Sequence, residues 1–144
     1  MSIDDLSTWM HGIKYITQDK HNSLTNSQLN LSPASCAVCY VPRRSALVMI
    51  PAKTSCPAGW TQEYGGYIMA ERLYYTQSTS NSDDRNPTNY VCVDAAPEAV
   101  PEADRVPSEG YGGSFLFAKL QCGSLLPCEK FKQGWEVACV VCSK

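Results

Sequence analysis

Histidine is almost missing from this chain: 144 residues carry two, His11 and His21, both in the N-terminal segment. A Ser-His or Cys-His pair for nucleophilic catalysis has little to draw on. Gly112-Gly113-Ser114-Phe115-Leu116 departs from the Gly-x-Ser-x-Gly elbow at its last position. The acidic pairs Asp83-Asp84 and Glu98 with Glu102 have no apolar neighbours in sequence to raise a carboxyl pKa, so they read as solvated loop charges rather than an acid and its base. The sequence therefore predicts no enzyme and calls for no cofactor. Basic residues are also scarce: 12 Lys and Arg stand against 14 Asp and Glu, a net charge of −2. A face that neutralises phosphates is not available, which excludes nucleic acid as partner. Long apolar runs are missing too. The compact ones, Ser45 to Pro51 and Val137 to Val141, fall far short of the roughly 20 residues a bilayer requires, so no membrane span is expected.

What the chain does have is cysteine, eight of them. A chain of this length buries about two-thirds of its unfolded surface and folds as one unit without staples, so the cysteines need their own explanation. An even number points to an oxidising compartment. Met1 to Leu6 is acidic, with no basic start ahead of an apolar stretch, so no signal peptide is visible and secretion implies upstream sequence missing from this chain. Cys36-Ala37-Val38-Cys39 and Cys139-Val140-Val141-Cys142 share a Cys-x-Val-Cys pattern. His11 to Ile16 precedes the first by about the distance at which Tyr111 to Leu116 precedes the second. The organisation expected is the tail of one repeat followed by a whole repeat.

Strand signals dominate. Ala46 to Ile50 is apolar at every position and stops at Pro51, which predicts a strand buried on both faces or lying with one face in a subunit contact. Trp60 to Met69 mixes aromatics with Gly65-Gly66, the signal of a turn between two short strands. Asn89 to Val93, Ser114 to Ala118 and Trp135 to Val141 are further strands, and Ile68 to Tyr75 is the nearest approach to a helical period. Two polar connections, Ser78 to Thr88 and Ala95 to Gly110, are expected as surface loops. The fold class is mainly β.

Three chemistries compete for the cysteines. Zinc takes four thiolates at about 2.3 Å from two knuckles. The two Cys-x-x-Cys pairs lie roughly a hundred residues apart instead of the usual 15 to 20, and four cysteines would be left over. A thioredoxin-like centre needs a helix start after its first cysteine. Strand sequence surrounds Cys139, and Pro42-Arg43-Arg44 follows Cys39. Structural disulfides are the leading assignment.

The surroundings of these cysteines resemble a known family. Cys36-Ala37-Val38-Cys39-Tyr40-Val41-Pro42, the run from Val48 to Met69, Tyr90-Val91-Cys92-Val93-Asp94, Pro97 to Pro101, Cys122 to Cys128 and Val137 to Lys144 are similar to the C-terminal non-collagenous region of sponge short-chain (spongin-type) collagens and related cnidarian and mollusc proteins. A more distant similarity reaches the C-terminal domain of collagen type IV, with its two six-cysteine repeats. The resemblance implies a disulfide-rich, mainly β fold of short antiparallel strands and long loops. It divides the chain into residues 1–35, a partly disordered remnant of a truncated first repeat, and 36–144, a cysteine-rich collagen-like non-collagenous domain. Collagen IV-like nesting implies the bonds Cys56–Cys142, Cys92–Cys139 and Cys122–Cys128. It leaves Cys36 and Cys39 unpaired, bonded to each other, or joined to another chain. No Gly-x-y tract is present, so the chain cannot itself wind a triple helix.

The function that follows is a secreted, non-enzymatic extracellular-matrix domain that self-associates or joins other collagen-like chains, with Ala46 to Ile50 as the candidate contact. The alternative is a secreted carbohydrate-binding, lectin-like module, with calcium as an optional partner. Its site would combine Trp60, Tyr64, Tyr67 and Trp135 with Asp83, Asp84 and Asn86. A cytosolic zinc protein stands third. Asn30-Leu31-Ser32 is the usable glycosylation sequon, since Pro87 blocks Asn86-Pro87-Thr88.

Overall fold

The computed structural model describes residues 12–17, 29–73, 89–101, 113–123 and 127–144. Among them are six strands and no α-helix: β1 (Ile13–Tyr15), β2 (Leu47–Pro51), β3 (Thr61–Leu73), β4 (Tyr90–Asp94), β5 (Gly113–Phe117) and β6 (Ala138–Ser143). All six join one sheet. With three disulfides, this is a disulfide-rich, mainly β protein.

Strand β3 is the spine. Gly66 pairs with Asp94 of β4 and with Cys139 of β6, while Met69 pairs with Val91 of β4 and with Phe117 of β5. A residue in a strand has two edges, so β4 occupies one edge of β3, and β6 and β5 share the other, end to end. Ile68 marks the junction: its amide donates to the Val137 carbonyl and its carbonyl accepts from the Ala118 amide, each at 2.8 Å. Between Ala118 and Val137 the chain makes an excursion from this shared edge. Its base is held by the Leu120 amide on the Trp135 carbonyl and the Val137 amide on the Ala118 carbonyl, and Cys122–Cys128 closes its far part. Outside this layer, β1 pairs parallel with β5 and β2 pairs antiparallel with β6.

Alternation along β3 sends Tyr67 and Met69 to one face and Tyr64 and Ile68 to the other. Each face carries its own core. Tyr15, Leu29 and Met69 form the first, with Tyr67, Val93, Phe115 and Phe117 against them. Tyr67 meets Phe117 edge-on at 6.0 Å between ring centres. Ile68, Cys92, Cys139 and Val141 form the second, with Met49 and Tyr64 alongside.

The structure refines several expectations. Gly65-Gly66 is not a turn; both lie inside β3, a single strand of 13 residues. A Cβ on Gly66 would collide with the Val93 carbonyl oxygen, so this glycine admits the close passage of a neighbouring backbone. The one irregularity in the β3–β6 ladder lies earlier, as a register shift between Gln62 and Tyr64. Ile68 to Leu73, the nearest approach to a helical period and too short for one, is strand, with β4 and β5 pairing along it; Tyr74 and Tyr75 lie outside the described residues. The strand at 46–50 is not buried on both faces: β2 is an outer strand, with Leu47 70% and Val48 38% exposed. Not all pairing is antiparallel either, since β1 runs parallel to β5. Within the segment expected as a truncated remnant, Ile13–Tyr15 enters the sheet, Leu29 is fully buried, and the Ser32 hydroxyl accepts from the Val100 amide at 3.1 Å.

Candidate functional site

Cys139 and Cys142 stand three residues apart in β6. In an extended strand that spacing puts their side chains on opposite faces, with Cα atoms about 10 Å apart, too far for a disulfide between them. Each therefore finds a different partner. Cys142 bonds Cys56 in the connection between β2 and β3, Cα to Cα 5.9 Å. Cys139 bonds Cys92 of β4 at 5.8 Å, and Cys122 bonds Cys128 at 5.0 Å. These are the three pairs that collagen IV-like nesting implies. With both thiols of this Cys-x-x-Cys in disulfides, it has no thiolate for zinc and no dithiol for redox cycling. The three bonds indicate an oxidising environment.

The Cys92–Cys139 bond crosses β3. Strands separated by one intervening strand lie about 9.5 Å apart in a flat sheet; here the two Cα atoms are 5.8 Å apart. The sheet is folded at this point, so that β4 and β6 approach each other over Gly66. Pro57-Ala58-Gly59-Trp60 makes the turn into β3, with the Trp60 amide on the Pro57 carbonyl at 3.1 Å and Gly59 at φ +81°.

The outer strand β2 is fastened at its start. Arg44 donates to Glu63 at 3.1 Å and to the Ser143 hydroxyl at 2.6 Å, and that hydroxyl donates to the same Glu63 oxygen. Ala46 and Lys144 exchange backbone hydrogen bonds, extending the β2–β6 ladder by one residue. On its other edge β2 has no ladder partner among the described residues. The chain that leads into it is exposed from Ser35 to Tyr40 and again from Pro42 to Val48. Along that stretch lie Val38, Tyr40, Leu47 and Val48, all exposed, and the two free cysteines, Cys36 and Cys39, also exposed. Exposed apolar groups and open thiols thus share one continuous stretch of sequence, residues 35–48, with Cys36 near Tyr15 and Cys39 near Tyr64.

Among the described carbohydrate candidates, Tyr64 and Tyr67 are not brought together. Tyr64 and Tyr67 lie on opposite faces of β3, Tyr64 donating to the Cys92 carbonyl at 3.0 Å and Tyr67 packed on Phe117. Burial lifts the Tyr64 phenol above its usual pKa, helped by the negative charges of Asp94 and then Cys39; burial and then Cys36 do the same for Tyr15. Trp60 is half-buried beside its turn. Trp135 is exposed on the excursion, with Lys132 5.3 Å from its ring centre. Asp83, Asp84 and Asn86 lie outside the described residues, as do both histidines. No group of three or more metal-ligating side chains occurs among the described residues. No protein-family model, curated protein or solved structure matches this chain.

Proposed function

We propose that this chain is a secreted, non-enzymatic structural domain of the extracellular matrix that mediates association of short-chain collagen-like proteins, itself included. The observation that carries this is the apolar edge: a disulfide-braced sheet that presents Leu47 and Val48 on an outer strand instead of burying them. Apolar edges are a liability that sheets normally blunt, so one left open suits a surface made to be covered. The resemblance of the cysteine framework to short-chain collagen C-terminal regions supports the same role, in which joining chain ends removes most of the entropic penalty of starting assembly.

Sedimentation velocity over a wide concentration range tests this, with Cys36→Ser/Cys39→Ser as the reference so that only non-covalent contacts are read. Concentration-dependent self-association is expected. Leu47→Lys/Val48→Lys should weaken it about 10- to 100-fold, because covering one such side chain contributes about 1.5 to 3 kcal/mol. A strict monomer, or association indifferent to that substitution, removes the proposal's basis.

A further inference from the structure

The turn at 29–32 holds an asparagine whose side-chain amide is divided between the fold and solvent. The Ser32 amide donates to the Leu29 carbonyl at 2.9 Å, closing a turn with Asn30 and Leu31 at its centre and Leu31 at φ 63°. Asn30 Oδ1 accepts from the Thr17 backbone amide at 3.1 Å, and the Leu31 amide donates to the Tyr15 carbonyl at 2.8 Å, so the turn is sewn to the end of β1. Because the Thr17 N–H can only donate, it fixes which atom of the Asn30 amide is oxygen. Asn30 Nδ2 makes no hydrogen bond to a described residue and is not a buried unpaired atom, so it meets solvent. Leu31 beside it is 53% exposed. Ser32, the third residue of the Asn30-Leu31-Ser32 sequon, is enclosed: it is fully buried, and its hydroxyl accepts from the Val100 amide at 3.1 Å and donates to the Pro33 carbonyl at 3.4 Å.

We infer that Asn30 carries an N-linked glycan, added before this turn folds. This rests on the secretion in the function proposed above, though not on the association, because the sugar donor is met in the secretory pathway. Nδ2 attacks the anomeric carbon of a lipid pyrophosphate-linked oligosaccharide. The bond from that carbon to the pyrophosphate oxygen breaks, the N-glycosidic bond forms, Nδ2 loses one proton and the lipid pyrophosphate leaves. A sequon is recognised through its hydroxyl residue as well as its asparagine. Folding hides that hydroxyl here, so transfer precedes the enclosure of Ser32. The product suits the fold, since the substituted amide keeps Oδ1 for the Thr17 N–H and the sugar takes the amide atom that the turn leaves unused.

The experiment sends the full chain through the secretory pathway of cultured animal cells behind a heterologous signal sequence. Peptide mapping by mass spectrometry follows, before and after an amidase that releases N-glycans. A glycan at Asn30 is expected; its release turns Asn30 into an aspartate, which marks the site and still accepts from the Thr17 amide. Asn30→Asp should fold and leave the cells without the glycan. Secreted chain with Asn30 unmodified overturns the inference. For the order of events, chain refolded with its disulfides formed is compared with reduced, alkylated chain as acceptor for purified oligosaccharyltransferase and its lipid-linked donor. The folded form should be modified more than about tenfold more slowly, since its turn must open first; equal rates overturn the order. Unmodified chain that leaves the cells with Cys56–Cys142, Cys92–Cys139 and Cys122–Cys128 formed sinks the glycan alone. Chain glycosylated at Asn30 but retained without those bonds sinks the secreted role alone.

Discussion

Replacing Gly66 by alanine probes why the sheet folds where it does. The added Cβ meets the Val93 carbonyl oxygen head-on, the Val93 carbonyl carbon at 2.7 Å and the Ala95 amide nitrogen at 2.9 Å. All three are backbone atoms, which cannot rotate aside, so β4 itself must move off β3. Overpacking of this kind costs about 1 to 3 kcal/mol, and a backbone obstacle puts Gly66→Ala near the upper end. The displaced residue, Val93, follows Cys92, whose bond to Cys139 holds β4 in place. In a Cys92→Ala/Cys139→Ala background β4 is free to give way, so the same substitution should then cost only about 1 kcal/mol, a coupling of about 2 kcal/mol. Gly65→Ala is the internal control: its Cβ meets the end of the Gln62 side chain at 3.3 Å and the Cys139 carbonyl oxygen at 3.6 Å. The side chain can swing away, and alanine recovers some of the chain entropy that glycine loses in a strand, so Gly65→Ala should stay within about 1 kcal/mol of wild type. Urea unfolding followed by circular dichroism measures the wild type and the four variants. Equal stabilities for Gly65→Ala and Gly66→Ala, or no coupling to the disulfide, would refute the close-passage explanation.

The disulfides should differ in weight. With loops of 86, 47 and 6 residues nested inside one another, chain entropy assigns about 4 kcal/mol to each of Cys56–Cys142 and Cys92–Cys139 and about 2 kcal/mol to Cys122–Cys128, read as the loss of unfolding free energy in paired Cys→Ala variants. Arg44→Ala should lower stability by only about 1 kcal/mol, since the Arg44 and Glu63 side chains are 31% and 27% exposed and water screens their attraction; a loss of several kcal/mol would mean the clamp does more than fasten β2. Tyr15 and Tyr64 should ionise above pH 10 in the folded chain, followed by ultraviolet absorbance. Because their folded pKa is raised, the unfolded chain loses these protons first; their contribution to stability is complete below pH 10 and declines as pH climbs from there toward the folded values. Tyr64→Phe should lower the stability by about 1 kcal/mol through the lost bond to the Cys92 carbonyl, and urea unfolding at neutral pH reads it.

Strand existence was legible because β2, β4, β5 and β6 are short apolar runs bounded by turn residues, and such runs advertise themselves whatever their neighbours. Their surroundings were not. Leu47-Val48-Met49-Ile50 reads as a buried strand since each residue is apolar, yet burial depends on what covers a strand, and β2 has β6 on one edge and no described ladder partner on the other. Gly65-Gly66 reads as a turn because glycine serves both tight turns and close backbone approaches, and only the position of Val93 distinguishes them. Two of the candidate sugar-site aromatics are separated for a simpler reason. Tyr64 and Tyr67 are an odd number of residues apart in one strand, so alternation separates them; a strand running unbroken through Gly65-Gly66 was the missing premise.

The same spacing, Cys-x-x-Cys, has two outcomes in this chain, and burial decides between them. In β6 the strand geometry drives Cys139 and Cys142 to opposite faces, where each is enclosed and lies within reach of a distant cysteine. One bond draws β4 over the bend at Gly66, and the other ties down the connection that follows β2, so β6 is braced on both faces by different parts of the chain. Cys36 and Cys39 sit in an exposed segment outside any strand, where nothing among the described residues encloses them. Their nearest ordered anchor downstream is the Arg44 clamp, which holds the segment against β3 and β6 without covering it. The exposed pair remains as two thiols, whereas the β6 pair is closed in disulfides. Matching motifs therefore differ in outcome through their setting: a strand enclosed on both faces delivers each of its cysteines to a partner, and an exposed segment leaves both of its cysteines as thiols.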